Sequence, residues 1–166
     1  MIAAPQSLVR FVEPWSQLYS DSILVATLVL FGHIAALVFA GGLAVTLDRG
    51  TLRASRGSPE VRARQLDELA LAHRLVVSGL ALSFFTGVLL FAADVETYFS
   101  SWIYWTKMTL VVLLLTNGFI MTRIEQRIRS SSGSAAVWKK LRWTALASLV
   151  LWFAIAFAGV ALVNAA

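Results

Sequence analysis

The sequence predicts an all-α integral membrane fold, a four-helix up-down-up-down transmembrane bundle, N-out/C-out, with a short N-terminal interfacial helix. Three observations carry that prediction. The 166 residues are 58% hydrophobic and only 14% charged, with a mean hydropathy of +0.76, a balance typical of polytopic membrane proteins. The apolar residues gather in four runs, at about 23–47, 75–93, 103–122 and 143–163, and about 20 apolar residues suffice to cross a bilayer core. The basic residues gather in the connections after the first and third runs, which the positive-inside rule places in the cytoplasm, leaving both termini outside. One four-span domain, 1–166, accounts for the chain, and the expected location is a bacterial inner (cytoplasmic) membrane.

The segment 1–22 carries Leu8, Phe11, Val12, Trp15, Leu18 and Tyr19 at helical spacing, the pattern of a helix lying in the membrane interface. With one early basic residue, Arg10, followed by Glu13 and Pro14, it is a poor signal-peptide start, and the first span is expected to be retained. That span contains one imidazole, His33. By helical period His33 shares a face with Ala26, Val29, Ala36, Ala40 and Ala44, with Gly41 alongside. A stripe of small side chains admits either a neighbouring helix or a flat ligand.

The connection 48–74 holds Arg49, Arg53, Arg56, Arg62, Arg64 and Arg74, and Gly57-Ser58-Pro59 breaks it. Ser58 is placed to cap a helix whose first residue is Pro59. The second span carries Gly79, Ser83 and Gly87 at four-residue spacing, suited to close helix contact. A short acidic connection, 94–101, leads to Trp102, Tyr104 and Trp105, an aromatic belt at a headgroup boundary. The third span includes Lys107, Thr109, Thr116 and Asn117; the connection 123–142 is basic, with a serine-rich flexible tip at 130–134, and the fourth span follows. The net charge of +5 and pI near 10.2 therefore read as an orientation signal and an attraction to anionic lipid, with no nucleic-acid partner.

Polar groups inside a span are functional candidates by default. At ~1.5 Å of rise per residue, His33 lies roughly 15 Å from the outer boundary, Lys107 about 6 Å nearer the outside, and His73 about 12–15 Å from His33 toward the cytoplasm. These groups suggest a b-type haem. His33 is the axial ligand, with Lys107, water or nothing opposite; His73 is a second ligand on the same or a second haem, and the depth mismatch weighs against one iron shared by both histidines. In that picture His33 and His73 are the metal ligands. Lys107 or His73 serves as propionate partner or proton-transfer group. Gly41, Gly79, Ser83 and Gly87 leave room for the macrocycle, Phe84, Phe85 and Phe91 pack on it, and arginines such as Arg74 hold propionates. Plainer readings stand beside these. His33 can hydrogen-bond Thr86 or Asn117 across helices, Lys107 can snorkel to headgroups, His73 can be a boundary residue, the glycine stripe can be packing, and Asp48-Arg49 can be an interfacial ion pair or topology marker.

His33, Gly41, Asp48-Arg49, Thr86-Gly87-Val88-Leu89-Leu90-Phe91, Lys107-Met108-Thr109-Leu110 and Asn117 together resemble a group of uncharacterised bacterial four-helix membrane proteins over most of the chain. The same arrangement also resembles HemJ-type protoporphyrinogen oxidases. That resemblance implies b-type haem, with the first-span histidine and third-span lysine, here His33 and Lys107, as required groups and Trp102 or Tyr104 as neighbours. Where that family carries an arginine-rich segment ending in Tyr-His, this chain reads Leu47-Asp48-Arg49-Gly50. A more distant likeness is to CopD-type copper-resistance membrane domains, but copper calls for soft or imidazole ligands in number. The chain offers two histidines, Met1, Met108 and Met121, and no cysteine.

The lack of cysteine excludes disulfides, thiolate metal sites and covalent CxxCH haem. No HExxH, P-loop or GxSxG is present and no span holds paired carboxylates, which disfavours hydrolase, ATPase and metalloprotease chemistry. The expectation is a membrane haem-b redox protein in electron transfer or in porphyrin- or quinone-linked oxidoreduction, with a quinone, porphyrin, redox protein or second copy of the chain as partner. The alternatives are a non-catalytic accessory or assembly bundle and a small metal or ion permeation protein.

Overall fold

The computed structural model describes residues 4–130 and 134–165, and every regular element among them is helical. The order is α1 (Gln6–Asp21), α2 (Ile23–Ala54), α3 (Pro59–Ala93), α4 (Val95–Ser100), α5 (Trp102–Ser130) and α6 (Ala135–Ala165). Four of them, α2, α3, α5 and α6, are long and apolar enough to cross a membrane. Met1 and residues 131–133 of the serine-rich tip lie outside the described residues.

The spans overrun their expected limits. The four long helices have 32, 35, 29 and 31 residues, whereas a hydrocarbon core of about 30 Å takes only ~20 at 1.5 Å each. The connection expected over 48–74 is thus only 55–58, because nothing before Gly57 stops α2. Ser58 and Pro59 do start α3, as N-cap and first helical residue, although the Ser58 side chain makes no capping bond. Likewise α5 runs on to Ser130 and α6 starts at Ala135, so most of 123–142 is helix. These charged ends stay helical because they share a core of their own: Ala54, Leu66, Leu69, Ile124, Ile128, Trp138 and Leu141 form one buried cluster. The middle connection is itself a helical turn, α4, whose N-cap Asp94 accepts from the Thr97 amide at 3.2 Å.

Successive long helices run antiparallel. His33 meets Ser83, Ala40 meets Gly79, and Thr51 meets Gln65 along α2 and α3. Lys107 approaches Gly159, and Asn117 Nδ2 donates to the Thr144 carbonyl at 2.9 Å, along α5 and α6. A second buried cluster, Ala40, Leu114, Trp152 and Ile155, fills the centre. Glycine permits the closest approaches: a Cβ at Gly79 would lie 2.9 Å from that of Ala40, and one at Gly41 would lie 3.1 Å from the Trp152 ring. Helix α1 packs across one end of the bundle, termed the outer end, where Trp15 Nε1 donates to the Leu89 carbonyl at 2.8 Å and Ser16 Oγ to that of Ala93 at 2.7 Å. Phe11, Phe31, Phe84, Phe153 and Phe157 face outward and are largely exposed, an apolar exterior that suits lipid.

Candidate functional site

Two polar levels lie on either side of the central apolar cluster. Taking Ala40, Gly79 and Trp152 as one level, His33, Gly87 and Gly159 all lie about 10–12 Å along their helices toward the end that α1 covers. At that outer level His33 Nδ1 is 2.9 Å from the Ser83 carbonyl and 3.1 Å from Thr86 Oγ1. A carbonyl oxygen only accepts, so Nδ1 carries the proton and donates to Ser83. The Thr86 hydroxyl spends its own proton on the Leu82 carbonyl at 2.8 Å, which leaves it a second acceptor for the same N–H. Nε2 is then the unprotonated nitrogen, and it has no hydrogen-bond partner among the described residues. The ring edge rests on α3, since a Cβ at Gly87 would come within 3.3 Å of His33 Cε1.

Lys107 enters the same level from α5. Its ammonium lies close enough to His33 to act on it electrostatically, and Nζ lies 3.7 Å from where a Gly159 Cβ would be. It is half-buried and makes no hydrogen bond or ion pair among the described residues. The structure therefore puts His33 and Lys107 at one level, within electrostatic reach of each other. It does not bring His73 to them: Ser83, which His33 touches, is about 15 Å of helix away from His73. Nor does the glycine stripe leave an open slot, because Ala36, Phe39, Ala40 and His33 of α2 occupy the space along Gly79 and Gly87. Gly41 is taken up by Trp152 in the same way. Phe84 is 71% exposed on the outer face and Phe91 stacks on Tyr104 at 5.2 Å between ring centres, so neither packs beside His33. Arg74 is exposed at the other end.

The inner level is a cleft. Helices α3 and α5 are tied together at both ends, by Phe91 on Tyr104 and by Arg129 of α5, which bonds Asp67 at 3.2 Å and the Leu66 carbonyl. Between these ties they part, leaving a cavity of about 270 Å³ floored by α2 and α6. Val76, Val77, Leu80, Leu115 and Phe119 form its apolar walls, and His73, Glu125, Asp48 and Ser148 gather toward the inner end. Glu125 accepts from Arg129 Nε at 3.4 Å and lies near enough to His73 for their charges to interact. Asp48 is only 3% exposed. The Ser148 hydroxyl reaches its carboxylate, but Oδ2 has no hydrogen-bond partner. Of the two readings of Asp48-Arg49, an ion pair or a topology marker, the ion pair is absent among the described residues: consecutive helical residues diverge by about 100°, which turns Asp48 inward and leaves Arg49 exposed.

Asp48, Glu125 and Ser148 went unmarked as site residues in the sequence. One signal was present: the small-residue face of α2, Ala36, Ala40 and Ala44, reaches Asp48 at the next four-residue step. No group of three or more His, Cys, Asp or Glu side chains that could hold a metal ion occurs among the described residues.

Fold and site together define a class: an all-helical bundle whose four long helices suit membrane passage, with a backbone-held histidine at one level and a carboxylate-lined cleft at another. Beyond that class, we find no match to this chain among protein-family models, curated proteins or solved structures.

Proposed function

We propose that this chain is a multi-pass protein of a bacterial cytoplasmic membrane, with both termini outside, that binds a b-type haem on His33 and works in electron transfer or porphyrin- or quinone-linked oxidoreduction. The observation that carries this reading is the bond from His33 Nδ1 to the Ser83 carbonyl. A backbone carbonyl on one ring nitrogen fixes the tautomer, orients the ring and makes the other nitrogen a better ligand, as it does for metal-bound histidines generally. Its free Nε2 is what would hold a haem iron, and the haem would supply one-electron redox chemistry. The Gly79–Gly87 stripe does not fit as its slot, since α2 fills it. Lys107, at the same level as His33 and without a hydrogen bond or ion pair among the described residues, would hold a propionate or carry a proton. His73, at the other level, is not a second ligand to the same iron.

The same bond favours a second reading, in which His33 merely locks α2 to α3 in a non-catalytic accessory bundle. Oxidised and dithionite-reduced spectra of protein expressed with sufficient haem, with pyridine haemochrome quantification, separate the two. A Soret band with sharp reduced α and β bands, one haem per chain, and loss of that haem in His33→Ala are expected. A colourless, folded protein would refute the haem reading and leave the lock. Because the chain lacks cysteine, single substitutions test orientation. Arg56→Cys should resist a membrane-impermeant maleimide in intact cells, and Asn164→Cys should react.

A further inference from the structure

The haem reading uses only the outer level; the cleft between α3 and α5 is left without a role. Its make-up is specific. The walls are apolar side chains of α3 and α5, among which Leu115 and Val77 are about half exposed. At the inner end a carboxylate that is almost entirely buried has one oxygen with no partner. The charges around it do not compensate it. Glu125 and Asp67 both engage Arg129, Arg49 is exposed, and no lysine or arginine lines the cleft. A buried carboxylate without a cation either takes up a proton or bears the cost of its charge, and a cation bound beside it stabilises the ionised form. Bare metal ions are a poor match, since the donors for a metal cage are missing among the described residues and hard cations take six or more oxygens. Apolar walls call for an organic body instead. The volume, about 270 Å³, sits just below the ~300 Å³ at which small-molecule sites begin, so the occupant is small or leaves one end in lipid.

We propose that this cleft binds a lipophilic amine, with its protonated nitrogen at Asp48 and its apolar chain between Val77 and Leu80 of α3 and Leu115 and Phe119 of α5. Ser148, Thr122 and His73 line the same cleft, and the gap between α3 and α5 is the way in from the bilayer. The site is independent of His33, which lies about 22 Å of helix away from Asp48 on α2.

Trp152 lines the cleft and is buried, which makes it a reporter. The test uses the full chain in phosphatidylcholine nanodiscs, titrated with a bromoalkyl ammonium and with the bromoalkyl alcohol of the same length. The ammonium should quench tryptophan fluorescence with a saturable component that is absent in Trp152→Phe, and the alcohol should quench without saturation. Asp48→Asn should weaken the saturable component at least tenfold. Gly118→Phe should do the same from the opposite wall, because Gly118 lines the cleft and a Cβ there meets nothing within 4 Å, which leaves a larger side chain room to enter the cavity. His33→Ala should leave amine binding unchanged, so failure of the haem reading and failure of this one are separately visible. Saturable binding of the alcohol with equal strength, unchanged binding in Asp48→Asn, or no saturable quenching would each overturn the proposal.

Discussion

Alanine placed at four glycines should give opposite signs of stability, and the signs follow from what each new methyl meets. Replacing an interior helical glycine with alanine gains about 0.5–1 kcal/mol by restricting the unfolded chain. At Gly118 and at Gly42 the methyl meets nothing within 4 Å, so that gain should appear almost undiminished. At Gly79 the methyl would sit 2.9 Å from Ala40 Cβ and 3.5 Å from the Ala36 carbonyl. Neither neighbour has a torsion through which to retreat, so α2 as a whole must move. Overpacking of that kind costs about 1–3 kcal/mol, which leaves Gly79→Ala destabilised by about 1–2 kcal/mol and separates it from Gly118→Ala by about 2 kcal/mol. Gly87 falls between them. Its methyl would press on His33 Cε1 at 3.3 Å, and the ring moves only by stretching its bond to Ser83, an interhelical bond of about 0.6 kcal/mol in membrane bundles. Reversible unfolding in mixed detergent micelles, followed by circular dichroism, measures all four. A Gly79→Ala protein as stable as Gly118→Ala would refute the close α2–α3 packing on which the placement of His33 depends.

Two further predictions concern the ends of the bundle. Arg62 donates to the Ser55 carbonyl at 3.0 Å and the Ala54 carbonyl at 3.4 Å, and its guanidinium lies 5.2 Å from the centre of the Trp138 ring. Arg62→Ala should therefore cost about 1–2 kcal/mol and red-shift tryptophan emission, and an unchanged melt would show that the 55–58 turn holds without this cap. At the outer end, burial first, and then the Asp94 carboxylate and Tyr19, raise the Tyr98 phenol above its usual range. The folded chain then binds this proton more tightly than the unfolded chain, so its contribution to stability is present below about pH 10 and is lost as pH rises beyond it. Phenolate absorbance should show late-titrating tyrosine, and Tyr98→Phe should remove one residue's share of that signal.

The sequence marks what is local and hides what is assembled. Four apolar runs, the Ser58-Pro59 helix start and the amphipathic stretch around Trp15 are each written in a few consecutive residues, and each has its counterpart in the structure. The small stripe Gly79, Ser83, Gly87 was open to two uses, and only the approach of Ala40 and His33 decides for packing. The overrun of the helices was illegible for a different reason. Arginine and glutamate interrupt hydropathy, so 48–54 and 123–130 look like loops, although these residues are good helix formers and surround a buried cluster drawn from four helices. The cleft was hidden most completely. Residues 48, 73, 125 and 148 come from four helices, and no spacing along the chain relates them.

Asp48 provides the sharpest check on that assembled level, because the usual expectation for a buried residue is reversed there. Substitutions at buried positions mostly destabilise. Asp48 is 3% exposed with an unpartnered oxygen, and in the absence of a ligand the bundle bears the cost of dehydrating it, offset only by the Ser148 hydroxyl. Asn keeps the shape and removes the charge. Asp48→Asn should thus raise stability by about 1–3 kcal/mol, and Asp48→Leu should raise it by a similar amount if Ser148 turns its hydroxyl to its own helix. Unfolding of both variants against the parent, with no amine present, measures this. Loss of stability in both would mean that the carboxylate holds α2 to α6. A gain in both would mark Asp48 as a residue kept at the expense of the fold, which is what a binding carboxylate requires.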